Sequence, residues 1–473
     1  MRKCRSFLLG FIIFFAGAVL AAAQPHSFTN PDKLNYPPLH FKPPQAERLT
    51  LDNGMILYVL EDQELPLVNI HIAIKTGSYF DPEGKEGLAE LTGAVMKTGG
   101  TETMTGSAVD EELESLAINI GVSSHMESST ITFSSLKNNL DRGMEILSQI
   151  MMQPVFAEDK LRLAKNLKME ELRRIADDPQ QFAFREFNRL LYRDNPRGRL
   201  PSLRSVEKIG RNDLLQFHKT FFTPDNMMIA ATGDVTKKEV LALFAKYFSG
   251  WPKQGKKVEI PPPAPVLKGG IYYLAKDTPQ SVIITGRIAP AKKSPDFYAF
   301  TVLDFILGSG GFRSRIFQEI RSNQGLAYSA GSFYRPRSDY GVFGAYAMTK
   351  AASTGKVMSL LRTIAEKARN HPADLKELDW AKKSINNSFI FSFSSTEQIA
   401  LQQMMLEFDK LPGDHITAYQ ERIKKVGAED LKRAALKYLL PEEMIILVTG
   451  KEADFDQPLS AFGKVERIRP NND

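Results

Sequence analysis

The sequence predicts an α+β protein made of two homologous halves, and three observations carry that reading. Strand-period and helix-period apolar patterns alternate along the chain; two stretches 217 residues apart repeat one order of helix, proline, strand and glycine; and a proline cluster lies between them. At 473 residues and 43% apolar content, the chain is long enough to bury more than one core.

The first residues stand apart from both halves. Arg2, Lys3 and Arg5 precede an apolar run from Phe7 to Ala23, which ends in Ala21, Ala22 and Ala23 before Gln24 and Pro25. That order is expected of a cleavable secretory signal, residues 1–23, on an exported protein, periplasmic in a Gram-negative cell. The alternative is a retained membrane anchor, since the run approaches the minimum spanning length of about 17 residues. The only cysteine, Cys4, precedes the run, so the exported chain would hold no disulfide. Without the three basic residues of the signal, 58 of the 61 basic residues face 55 acidic ones. Such a balance gives no support to a nucleic-acid or membrane-surface partner.

Residues 24–45 contain Pro25, Pro31, Pro37, Pro38, Pro43 and Pro44 and read as an extended arm. The first half then covers 46–252. Val68, Ile70, Ile72 and Ile74 alternate with Asn69, His71, Ala73 and Lys75, the period of a strand with one buried face, and 130–135 alternates likewise. Helical spacing covers Leu140 to Met151 and Lys160 to Ile175, the latter ending at Asp177, Asp178 and Pro179. Asp213 opens a further helix that runs into Thr223, Pro224, Asp225 and Asn226, then the strand Met227 to Thr232, closed by Gly233. A connector, 253–268, is stiffened by Pro261, Pro262, Pro263 and Pro265. In the second half, 269–473, Asp430 opens the matching helix into Leu440, Pro441, Glu442 and Glu443, then the strand Met444 to Thr449, closed by Gly450. Each half is expected to be a mostly antiparallel, mixed sheet with helices packed on one side.

Two strings carry the chemistry. The first runs Asp81-Pro-Glu-Gly-Lys-Glu-Gly-Leu-Ala89, continues through Glu90, Gly93 and Ala94, and leaves through Gly99, Gly100 and Thr101. The second is a glycine turn, Gly308, Gly310 and Gly311, then Ser314-Arg-Ile-Phe-Gln-Glu-Ile-Arg321, then Gly325-Leu-Ala-Tyr328. The glycines could suggest a phosphate loop, but Phe300 to Leu307 reads as a helix that they end. Together with Leu51-Asp-Asn-Gly-Met55 and Thr223-Pro-Asp-Asn-Met227, these strings resemble the insulinase, pitrilysin and mitochondrial-processing-peptidase family over roughly Glu47 to Val465.

The resemblance implies two peptidase-like domains closing on each other as a clamshell, and it implies where a metal would sit. The family motif His-x-x-Glu-His puts two histidines on one helix face, with a glutamate to take a proton from metal-bound water. In this sequence Glu90 stands for the first histidine, Gly93 for the glutamate and Ala94 for the second histidine. A glutamate 77 positions beyond the second histidine is the family's third ligand, and that count lands on Glu171. Two carboxylates without imidazole suit zinc poorly, so Glu171 is expected to be ion-paired on a helix that also carries Arg173 and Arg174. No metal is expected on this chain. His26, His40, His71, His125, His218, His371 and His415 are scattered and read as surface or satisfied histidines.

Arg321 and Tyr328 match the family's second signature in type and spacing. The resemblance implies that they hold a substrate carbonyl and an oxyanion, completing a site whose zinc a homologous partner subunit carries. Taken singly, Tyr328 could be a buried aromatic and Arg321 a helix-end surface charge. The function expected is a non-catalytic, substrate-binding subunit of a heteromeric zinc metallopeptidase, inactive alone. Two alternatives stand beside it: an inactive scaffold or binding protein of an envelope complex, and a lone peptidase with an unrecognised metal site.

Overall fold

The computed structural model describes residues 42–253, 259–264, 269–371 and 373–470. The signal 1–23 and the arm as far as 41 lie outside the described residues, as does much of the connector. Among the described residues no helix is long and apolar enough to cross a membrane.

The first half contributes β1 (Glu47–Thr50), β2 (Ile56–Glu61), β3 (Leu67–Ile74), β4 (Asn119–Ser124), β5 (Ser129–Leu136) and β6 (Met227–Gly233). They form a sheet in the order β1-β2-β6-β3-β5-β4, in which only β2 and β6 run parallel. The second half contributes β7 (Gly270–Ala275), β8 (Gln280–Ala289), β9 (Ala327–Pro336), β10 (Gly341–Lys350), β11 (Ile445–Gly450) and β12 (Val465–Ile468). Its order is β12-β7-β11-β8-β10-β9, antiparallel except where β7 pairs with β11 and with β12. Five strands therefore correspond one to one, and β6 and β11, the pair found 217 residues apart, hold equivalent central places.

The repeat extends to local chemistry. The helices Arg211–Phe221 and Ala428–Tyr438 each begin with a carboxylate folded back on the backbone: Gly210 N donates to Asp213 Oδ2 and Gly427 N to Asp430 Oδ2, both at 2.9 Å. Gly233 and Gly450 close their strands at φ +110° and +147°. At Gly233 a Cβ would stand 2.0 Å from Leu67 O, so this close turn admits no side chain.

One expectation fails in an informative way. Helices do not cover a single side of each sheet; the other side is covered by a helix from the opposite half. The helix Thr396–Phe408 lays Ala400 and Met404 against Tyr58, Ala73, Met228 and Ala230 of the first sheet. Its counterpart, Pro179–Tyr192, lays Phe182, Phe187 and Leu191 against Tyr272, Ile284 and Leu447 of the second. These two helices begin 217 residues apart, so the exchange is itself part of the duplication. It also explains why β6 is apolar on both faces rather than alternating: both faces are buried.

Polar contacts fasten the exchanged helix. Glu407 accepts two hydrogen bonds from Arg48, at 2.6 and 2.7 Å, and one from the Tyr58 hydroxyl at 2.6 Å. His71, on the polar phase of β3, pairs with Glu397. Glu407→Gln is expected to lower stability by about 1 kcal/mol in urea unfolding, a modest figure because Arg48 and Glu407 are partly exposed.

Candidate functional site

The helix Leu88–Thr98 carries the first string. It starts from Gly87, held at φ +104°, and its first amides are capped by the buried Asp81, which accepts from Gly87 N at 2.7 Å and Ala89 N at 2.8 Å. Burial pushes the Asp81 carboxyl up to about 7, opposed by those two hydrogen bonds. The helix packs on the edge strand β4, and a Cβ at Gly93 would meet Ser124 Oγ at 3.0 Å. Ala94 is exposed.

Glu90 and Glu171 are brought together, and a cation joins them. Lys168, on the helix Glu158–Arg174, puts its Nζ 2.7 Å from Glu90 Oε1 and 3.1 Å from both carboxylate oxygens of Glu171. The lysine side chain is 11% exposed beneath carboxylates that are 44% and 59% exposed. Glu171 is thus ion-paired, but to Lys168 and not to Arg173 or Arg174; Arg173 turns instead to Glu170. The donor set does not fit zinc. Two carboxylates already share an ammonium ion, a glycine faces a strand and a methyl faces solvent, where zinc calls for three or four nitrogen, sulfur or oxygen ligands. Among the described residues no three metal-binding side chains of this kind cluster.

The remaining described histidines are dispersed. His218 is a core residue whose Nε2 donates to Met151 O at 2.8 Å, and burial pushes its pKa down to about 4, so the ring is neutral.

The second string folds as a connected surface feature. The helix Phe297–Asp304 ends in a π-helical turn, Phe305–Ser309, where Gly310 N donates to Phe305 O at 3.0 Å, and the predicted glycine stop follows. A second π-helical turn, Phe317–Asn323, presents Arg321; Tyr328 stands near the start of β9. The Arg321 guanidinium lies 4.9 Å from the Phe317 ring centre and 5.7 Å from that of Tyr328. Tyr328 is 82% exposed, which dismisses the buried-aromatic alternative. Neither side chain hydrogen-bonds or ion-pairs with another described residue. Phe312, 72% exposed, meets Phe317 edge to face at 4.9 Å, giving the pair an apolar shoulder. No hydrogen bond, ion pair or ring contact joins Arg321 or Tyr328 to Glu90, Lys168 or Glu171 among the described residues.

Beneath this surface, Asp304 is buried and accepts from Ser332 Oγ of β9 at 2.6 Å. Desolvation pushes its carboxyl up from 3.8 to about 6, against the hydrogen bonds from Ser332 and Ser309. The folded state therefore holds this proton more tightly than the unfolded chain. The resulting stability is fully present below pH about 4 and is lost as pH rises through about 6. Asp304→Asn keeps an acceptor for Ser332 and removes the titration. Denaturant melts at pH 4, 5 and 7 are expected to show the variant escaping a loss of about 1–3 kcal/mol.

Lys168, Phe312 and Phe317 did not stand out in the sequence. Lys168 left one readable trace, its position three residues before Glu171 on the same helical face.

Comparison with known proteins adds identity to this geometry. The family model described as Insulinase (Peptidase family M16) matches residues 57–200, and that described as Peptidase M16 inactive domain matches 208–385. A protein of Rickettsia bellii named an uncharacterized zinc protease is 27% identical over 435 residues, covering 89% of this chain and 97% of its own length. The probable mitochondrial-processing peptidase subunit beta of Arabidopsis thaliana is 24% identical over 428 residues, covering 87% of this chain and 79% of its own. Among solved structures, a peptidase M16 inactive domain from Pseudomonas fluorescens superposes with a TM-score of 0.80 at 23% identity, covering 87% of this chain and 99% of that one.

Proposed function

The chain belongs to the insulinase family of peptidases, and from that premise we propose that it is a subunit that binds peptide without cleaving it, completing the site of a zinc-bearing homologue. The observation that carries this reading is the state of the two family sites: Lys168 closes the first by pairing with Glu90 and Glu171, while Arg321 and Tyr328 stand exposed and free at the second.

Each side chain offers hydrogen-bond donors and no general base. The Tyr328 hydroxyl suits an oxyanion, and the Arg321 fork suits a substrate carbonyl; neither activates water. The apolar faces of Phe312 and Phe317 beside them suit a substrate side chain. Water activation therefore falls to the partner, where zinc is expected. A relative named as the beta subunit of a processing peptidase supports a family habit of working in heteromers. The apolar run from Phe7 behind Arg2, Lys3 and Arg5 supports export, and the pair would then work outside the cytoplasm.

The test is reconstitution. The purified chain should hold no stoichiometric zinc and cleave no peptide, and adding a family member with an intact His-x-x-Glu-His motif from the same cell should produce cleavage beyond that of the partner alone. Zinc at one equivalent with hydrolysis by the isolated chain would sink the reading. Co-purification only with an unrelated envelope complex would point instead to a scaffold.

A further inference from the structure

Asp304 is a buried acid that peptide binding at Arg321 and Tyr328 does not use, and it stands in the wall of a cavity. It closes the helix Phe297–Asp304, after which the chain passes through the π-helical turn Phe305–Ser309. Between this stretch, the edge strand β9 and the helix His415–Lys425 lies a cavity of about 360 Å³, a volume within the range of small-ligand sites. Among the described residues, Asp304 is the one side chain in its wall that carries a full charge near neutral pH. No lysine or arginine lines it to neutralise that charge. The carboxylate, 4% exposed, accepts from Ser332 Oγ at 2.6 Å and from the Ser309 hydroxyl. A carboxylate offers about four acceptor positions, so part of its capacity stays open.

Aromatic rings make up much of the remaining wall. Phe297, Phe305, Tyr334 and Tyr419 line it, with the Phe297 ring centre 6.3 Å from that of Tyr334 and 6.4 Å from that of Tyr419. Tyr334 is fixed by its hydroxyl, which donates to Pro290 O at 2.7 Å. Tyr419 stacks on Phe389 at 4.4 Å, and its hydroxyl donates to no described residue. The faces of such rings carry negative potential, so rings and carboxylate favour a guest of the same sign. An anion would be repelled, and a neutral guest would leave the carboxylate without a counter-charge.

We propose that this cavity binds an organic ammonium ion, with the cationic head against Asp304 and an apolar or aromatic stem among the rings. The head supplies charge-assisted hydrogen bonds to the open acceptor positions of the carboxylate, in surroundings largely shut from water where such bonds are strongest. A free amine carries this group, and so does the side chain of a lysine in a peptide. Ser332 follows Tyr328 by four positions along β9, but the ammonium site does not depend on the role of Tyr328 or Arg321.

Calorimetric titration of the full chain at pH 7 with phenethylamine is the test, with 2-phenylethanol as its uncharged counterpart. Saturable binding of the amine is expected, about tenfold or more tighter than that of the alcohol. Asp304→Asn, which keeps an acceptor for Ser332, is expected to weaken the amine about tenfold and to leave the alcohol unchanged. Tyr419→Leu is expected to weaken the amine severalfold through loss of one ring. Far-UV spectra and unfolding midpoints check the fold of both variants, and the comparison of amine with alcohol needs no variant at all. A blocked peptide with one central lysine among alanines separates the two sources. Competition between this peptide and phenethylamine assigns the site to a lysine side chain; binding of phenethylamine alone assigns it to a free amine. Absence of saturable binding by both overturns the proposal. So does amine binding no tighter than that of the alcohol, or binding that Asp304→Asn leaves unchanged.

Discussion

Arg321→Ala and Tyr328→Phe, made separately, are expected to lower peptide cleavage by the reconstituted pair by about a hundred- to a thousandfold each, the usual effect of losing one donor to a developing oxyanion. The reason lies in where these groups stand. Tyr328 is 82% exposed, and its hydroxyl is spent on no contact within the described chain, so removing it subtracts nothing from the fold. Phenylalanine keeps the ring that stacks under Arg321 at 5.7 Å and deletes only the donor. Loss of Tyr328 should therefore fall on kcat with KM little changed, while loss of Arg321 should also raise KM, because a carbonyl is already present in the ground state. Circular dichroism and pull-down with the partner should match the unmodified chain. Unchanged cleavage by both variants would remove the basis for a shared site and leave the second signature without a role in catalysis.

How far this was readable in advance depends on the range of the interaction concerned. The strand Leu67–Ile74 and the helix Leu140–Met152 declare themselves through side-chain period alone, and their observed limits lie within a residue of the expected ones. The duplication was visible because Pro224 and Pro441, or Gly233 and Gly450, mark turns by backbone demands that only a few residues meet. The exchange of helices was not visible. Pro179–Tyr192 and Thr396–Phe408 are ordinary amphipathic segments, and which sheet each covers is settled by packing between residues hundreds of positions apart. The uninterrupted apolar run along β6 was the available sign, but any central strand covered on both faces reads the same way, whichever half supplies the cover. Lys168 shows the same limit at the site: charges on two different helices, 78 positions apart, are joined only by the tertiary fold. The resemblance could say that the zinc ligands were missing, but not that an ammonium ion joins the two carboxylates at the positions of the family's first and third ligands.

That substitution has a consequence for restoring metal. Changing Glu90→His, Gly93→Glu and Ala94→His rebuilds the motif in sequence, yet the triple variant is expected to bind zinc poorly while Lys168 remains. With Glu90 replaced, the Lys168 ammonium still stands 3.1 Å from both Glu171 carboxylate oxygens, the oxygens that a zinc ion would use. Two unit charges 4 Å apart repel by about 4 kcal/mol near a protein surface, and a divalent ion feels more than a monovalent one. Adding Lys168→Met removes the ammonium, frees Glu171 as a third ligand and keeps the aliphatic packing of the nearly buried stem. Zinc affinity should then rise by on the order of a hundredfold over the triple variant, even after solvent screening takes part of the repulsion. The measurement is competition with a chelator of known affinity, followed by peptide cleavage. Some strain will persist, since any side chain introduced at Gly93 must push Ser124 away from a contact at 3.0 Å. Equal affinity with and without Lys168 would show that the ammonium does not block the site, and that the absence of histidine alone is what keeps metal out.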